Sequence, residues 1–122
     1  MININIERIG MAMKLLIAGS RSITDIDISD YIPNDVDVII ASGAAGIDTI
    51  AERYADKRRI SKYIMRPNYS LYKRGAPIKR NHEMVDFCDK VLVIWDGHSR
   101  GTKSTIDYAN KVGKPVEIIV YN

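Results

Sequence analysis

VIIASGAAGIDTIAERY, residues 38–54, passes from an apolar strand through a glycine-bracketed turn into an amphipathic helix. Val38-Ile39-Ile40-Ala41 is mostly β-branched and uncharged, the pattern of a strand buried on both faces of a parallel sheet. Ile47, Ile50, Ala51, Tyr54 and Ala55 then recur at helical spacing. Between them, Ser42, Gly43, Ala44, Ala45 and Gly46 combine glycines that permit positive φ and close ligand approach with the free N–H groups of a helix start. This outlines an anion site suited to phosphate, although the same glycines also serve a plain chain reversal. Neither GxGxxG nor a GxxxxGK(S/T) loop is present. Asp48, in the first helical turn, complements the helix dipole; next to a phosphate it needs a metal or a ribose hydroxyl in between.

Outward from this stretch the strand-to-loop pattern recurs. Residues 14–18 (KLLIA) form a buried strand that ends in Gly19-Ser20-Arg21-Ser22, a small-residue turn whose cation, Arg21, suits phosphate. Thr24 or Asp25 is expected to cap a short helix with Ile28 and Ile32 on one face, ended by Pro33. Downstream, residues 62–65 (KYIM) read as a third strand, and residues 66–75 (RPNYSLYKRG) as a long connection where Tyr69 or Tyr72 either stacks on a base or covers the core. Pro77 opens a helix to about Cys88, with Ile78, Met84, Val85 and Cys88 inward and Arg80 and Asn81 near its start. Residues 91–95 (VLVIW) are the most apolar strand, expected at the centre of the sheet. They empty into Asp96-Gly97-His98-Ser99-Arg100-Gly101-Thr102, a second glycine-bracketed loop before a helix with Ile106, Ala109 and Val112 inward and Gly113 as its stop. Residues 115–120 (PVEIIV) close the sheet. His98 has no second His, Cys or carboxylate at metal-ligand spacing, and Trp95 is expected in the core.

The alternation predicts an α/β, doubly wound, mainly parallel Rossmann-like sheet of order 3-2-1-4-5 with helices on both faces. Residues 14–122 form a single domain; residues 1–13 are a leader or an extra N-terminal edge strand, since residues 2–6 alternate apolar and polar. In that order the first and fourth strands meet at the topological switch point, where the loops at Gly19, Gly43 and Gly97 to Gly101 gather with Arg21, Arg80 and Arg100 nearby.

The whole chain sets bounds on this reading. Its 122 residues, 46% hydrophobic, suffice for one core, and a net charge of +3 is too mild to demand nucleic acid. Cys88 is the only cysteine, so no internal disulfide forms and a reducing compartment fits. No apolar run approaches membrane-spanning length, which argues against a membrane partner, and no secretory signal is visible, so the cytoplasm is expected.

GSR after the first strand, SGAAGID before the long helix, PNYSLYKRGAPIKRN in the middle and WDGHSRGT after the fourth strand together resemble the YspA-type branch of the SLOG superfamily. That superfamily takes in the DNA-processing protein DprA and the LOG phosphoribohydrolases. The resemblance covers about residues 14–121 and implies a Rossmann-like fold with a nucleotide or nucleotide-derived ligand. By position it implies that Gly19, Ser20 and Arg21 line the first loop and Ser42, Gly43, Gly46 and Asp48 the second. Arg80 and Asn81 come from the middle helix, and Asp96, Gly97, Ser99, Arg100, Gly101 and Thr102 from the last loop. Two departures stand out. The second loop is about one residue shorter than the family's and lacks its basic side chain. Against the LOG motif PGGxGTxxE, Gly101-Thr102 matches GT, but Thr105 replaces the glutamate, so LOG-type phosphoribohydrolase activity is disfavoured.

These features point first to a binding module for a nucleotide-derived phosphate ligand, acting as sensor or carrier. No cofactor is firmly implied, and a divalent metal is compatible with the carboxylates. The alternatives are an N-glycosidic hydrolase in which Asp48 or Asp96 replaces the missing glutamate, and a single-stranded DNA binder using Arg58, Arg59, Arg66, Lys73, Arg74 and Lys79 with nearby tyrosines. Mild net charge disfavours nucleic acid. A homodimer, as SLOG relatives often form, remains open.

Overall fold

The computed structural model describes residues 12–121, so the expectation of an edge strand at residues 2–6 lies outside the described residues. The described residues form five strands: β1 (Lys14–Gly19), β2 (Val38–Ala41), β3 (Ser61–Ile64), β4 (Lys90–Trp95) and β5 (Val116–Val120). All pair in parallel, in the order β3-β2-β1-β4-β5. Leu16 pairs with Ile40 on one side and Val91 on the other, so β1 is the central strand. β4, the most apolar strand, is interior, between β1 and β5, as the expected order requires. Among the described residues, four α-helices accompany the sheet: α1 (Ile47–Arg58), the single-turn α2 (Tyr69–Tyr72), α3 (Ala76–Phe87) and α4 (Arg100–Val112).

Strand parity sorts the core into two halves. Leu15, Ile17, Ile39, Ala41, Leu92 and Ile94 face α1, meeting Ile47, Ala51 and Ala55. Leu16, Ile40, Val91 and Val93 face the other way, onto Met84, Val85 and Cys88 of the α3 side and Ile106 and Ala109 of α4. Burial on both faces is why the interior strands read as unbroken apolar runs. Each fully buried Leu or Ile there contributes on the order of 1.5–3 kcal/mol.

Three local expectations are corrected. Residues 20–37 form no capped helix, only a 3-10 turn at Ser29–Tyr31 without a side-chain cap from the preceding residue. Asp27 accepts from both the amide and the hydroxyl of Ser29, closing a local turn that competes with helix, and Ile23, Ile28, Ile32 and Val36 pin the segment to the α1-side core. Ile78 is 53% exposed in the first turn of α3, and Val112 is 42% exposed in the last turn of α4. Both sit at helix ends, past the part of the helix that rests on the sheet. Gly113, at φ 77°, stops α4 in the left-handed region as expected. Among the described residues, no helix is long and apolar enough to cross a membrane.

Candidate functional site at the sheet's carboxyl edge

The parallel sheet sends the loops after β1, β2 and β4 to one edge, and Ser20 ties them together. Its hydroxyl accepts from the amide of Asp96 at 2.9 Å and lies 2.9 Å from the Ser99 hydroxyl. Its carbonyl accepts from the amides of Ile23 (3.3 Å) and Ile47 (3.4 Å), the latter at the start of α1. The second loop comes so close here that a Cβ at Gly46 would lie 2.5 Å from the carbonyl oxygens of both Ser20 and Arg21; with φ at +75° the position requires glycine. The Trp95 indole N–H donates to the Ser99 carbonyl at 3.1 Å, fixing the last loop against the body of the domain.

Between these loops and the first half of α3 lies a cleft of about 450 Å³. Of the expected residues, Gly19, Arg21, Ser42, Asp48, Arg80, Asn81, Asp96, Ser99, Gly101 and Thr102 line it. Ser20, Gly43 and Gly46 stand behind the lining, packed against other loop atoms. Gly97 is exposed with open space around it, and Arg100 lines a separate hollow with His82, Lys103 and Tyr108 on the outer side of α3 and α4. The structure adds Ala18, Ser22, Ala44, Pro77, Met84 and Thr105. Helical spacing was the available signal for three of them: Pro77, Arg80, Asn81 and Met84 follow the i, i+3, i+4, i+7 stripe of one helix face, and Thr105 stands three residues after Thr102. Ser22 and the two alanines carried none.

The cleft's two carboxylates are held in opposite ways. Asp96 accepts from the amides of His98 and Ser99 (both 2.8 Å) and from the hydroxyls of Ser99 (2.9 Å) and Ser22 (3.2 Å). The two amide donors hold its carboxyl well below the usual range, so it stays ionised, with its oxygens engaged by its own loop and by Ser22 of the first. Asp48 is only 5% exposed, and burial pushes its carboxyl up to about 6, even though the Ser42 and Ala44 amides and the Arg80 charge favour ionisation. The Ser42 hydroxyl also donates to it. Asp48, expected to complement the helix dipole and also a candidate site residue, is buried at the cleft wall, and its raised pKa brings its protonation change closer to neutral pH than that of Asp96. Thr105, whose hydroxyl donates to the Gly101 carbonyl at 3.3 Å, offers no such group.

Cations share the cleft. Arg80 donates through Nε to Asn81 Oδ1 at 2.9 Å. Its guanidinium pKa is lowered, by burial first and with the nearby Arg21 charge acting in the same direction, against the opposing charge of Asp48. Among the described residues no carboxylate lies within ion-pair distance of either arginine. α4 begins at the cleft wall with no side-chain cap on its first amides. Among the described residues, no group of three His, Cys, Asp or Glu could hold a metal ion.

A five-stranded parallel sheet of this order, with a cleft over its switch point, defines an α/β Rossmann-like domain. No family model matches the chain, and neither does any curated protein. Among solved structures, it is similar to the X-ray structure of DNA processing protein A (DprA) from Streptococcus pneumoniae, with a TM-score of 0.76 at 17% identity over 94% of this chain. The chain spans 53% of that protein, and at such identity the likeness shows a DprA-like fold.

Proposed function

We propose that the cleft binds a nucleotide or nucleotide-derived phosphate ligand, in keeping with the SLOG resemblance of its loops. The observation that carries this reading is that Arg21 and Arg80 line one cleft beside the uncapped start of α4, with no carboxylate within ion-pair distance of either among the described residues. An anion at that point pairs with the two guanidinium groups and accepts from the uncapped amides. A cleft of about 450 Å³ also falls within the usual range for small-molecule sites. In this arrangement the phosphate meets the arginines and α4, while Asp48 and Asn81 face a sugar hydroxyl or base edge.

The test is a thermal-shift panel of the common nucleoside monophosphates and inorganic phosphate. A nucleotide at about 100 times its dissociation constant adds roughly 2.7 kcal/mol to stability. At least one is expected to raise Tm for wild type and to lose most of that effect with Arg21→Ala. If no nucleotide shifts the wild type at millimolar concentration, the reading fails.

The DNA-processing neighbour makes single-stranded DNA the second reading, and the exposed Tyr69, Leu71 and Tyr72 beside Lys73, Arg74 and Lys79 favour it. Oligonucleotide affinity that falls steeply with salt, and is lost on substituting Lys73 and Arg74, would put it first.

A further inference from the structure

Among the described residues, two that are not glycine have positive φ. Arg59 (φ 57°, ψ 38°) ends α1 in the left-handed helical region, an ordinary stop. Lys73 (φ 55°, ψ −126°), which follows α2, lies outside that region, in the part of the map that glycine takes at the first corner of a type II′ turn. Gly75, two residues on, sits at φ −80° and ψ −4°, a conformation open to any residue, with no atom within 4 Å of where a Cβ would be. A lysine thus carries the strain while the glycine beside it leaves its freedom unused.

Strain of this kind persists where surrounding packing over-determines it. Neither α2 nor the 3-10 turn Lys73–Gly75 has a buried residue, and Tyr69 and Leu71 are 59% and 64% exposed. Asn68 closes the turn on itself, its side chain accepting from the Leu71 amide at 3.1 Å and its carbonyl from the Tyr72 amide at 3.0 Å. Asn68, Leu71 and Tyr72 border a hollow of about 340 Å³ together with Arg66, Arg80 and Glu83, so the turn stands over open space. Arg80 also lines the switch-point cleft, as does Pro77, two residues past Gly75. The strained turn therefore stands at the rim of the cleft.

We infer that residues 68–75 are a lid: on ligand binding Lys73 relaxes to negative φ, Gly75 takes up a positive φ, and the turn swings over the cleft mouth with Tyr69 and Leu71 against the bound molecule. This rests on the phosphate-ligand reading of the cleft and adds a moving part to it. α3 begins at Ala76, so a change at Gly75 leaves Arg80 and Asn81 in place. Released strain and apolar surface taken out of water favour closure, and the ligand selects the closed form through contacts that only this form provides.

Calorimetric titration with the four common ribonucleoside monophosphates tests it on wild type, Lys73→Gly, Lys73→Ala and Gly75→Ala. All three variants fit the observed conformation and are expected to keep Tm within a few degrees of wild type. Lys73→Gly removes the strain that closure releases, and Gly75→Ala penalises the closed form. Each is expected to weaken the nucleotide that wild type binds most tightly by at least about fivefold. Lys73→Ala keeps the Cβ and the strain while losing the charge, and is expected to bind within about twofold of wild type. Hydrogen exchange at the amides of residues 69–75 is expected to slow on binding in wild type. Unchanged affinity in Lys73→Gly or Gly75→Ala, equal weakening by Lys73→Ala and Lys73→Gly, or exchange at residues 69–75 that ignores the nucleotide overturns the lid and leaves the cleft reading standing. If none of the four nucleotides binds wild type, both fall.

Discussion

At the scale of single residues, Asp48 makes the sharpest physical statement. Burial disfavours the charged form and pushes its carboxyl up to about 6 from an ordinary value of 3.8. Between roughly pH 4 and 6 the folded state therefore holds a proton that the unfolded state lacks, so stability falls as pH rises through that window and is flat above it. If the whole shift is expressed, the loss is on the order of 3 kcal/mol. Asp48→Asn keeps an oxygen to accept from Ser42 and removes the charge. Its stability relative to wild type is expected to rise across this window and level off above it, as read by urea unfolding near pH 4 and near pH 7.5. A difference that does not change with pH would show that Asp48 is solvated in the native state.

Elements decide which glycines matter, and for different reasons. Gly46 sits at positive φ with backbone oxygens 2.5 Å from where a Cβ would be, whereas Gly101 lies in the first turn of α4, outside the positive-φ glycines, with open space at that point. Gly46→Ala is therefore expected to cost at least about 2 kcal/mol, lowering Tm by roughly 8 °C or more. Gly101→Val is expected to leave Tm within a few degrees, since Val is the better helix former, yet to project into the cleft and abolish the nucleotide-induced shift. Thermal unfolding of both variants with and without nucleotide checks this. Equal destabilisation by the two would mean that Gly101 is structural.

The same scale explains what could be read in advance. Strands buried on both faces announce themselves as apolar runs, so VIIA was bounded to the residue, and the loop glycines followed from the change of period at its end. Arg100 misled because it sits in the same motif as Gly101 and Thr102. At about 100° per residue it lies some 200° around α4 from Thr102, on the far side of the helix. Residues 20–37 misled for the opposite reason. Isoleucines at helical spacing suggested a helix, but Asp27 offers Ser29 a local partner, and tertiary burial of those isoleucines holds an irregular path. The burial of Asp48 had no sequence signal, because it depends on the loop after β2 folding back over the start of α1, where Ser42 and Ala44 donate to it.

For the whole molecule, the central claim is the proposed nucleotide site, which lies over the switch point of the parallel sheet, where open α/β sheets take their ligands. The most direct measurement is the change in backbone amide shifts as a nucleotide, AMP or ADP-ribose, is titrated into the protein. If the cleft is the site, the largest saturable changes fall on the amides of Gly19 to Ser22, Ser42 to Asp48 and Ser99 to Thr105, and they vanish with Arg21→Ala. Changes confined to residues 69–79 or to the outer hollow around Arg100 and His82, or none at all, would contradict a nucleotide site over the switch point.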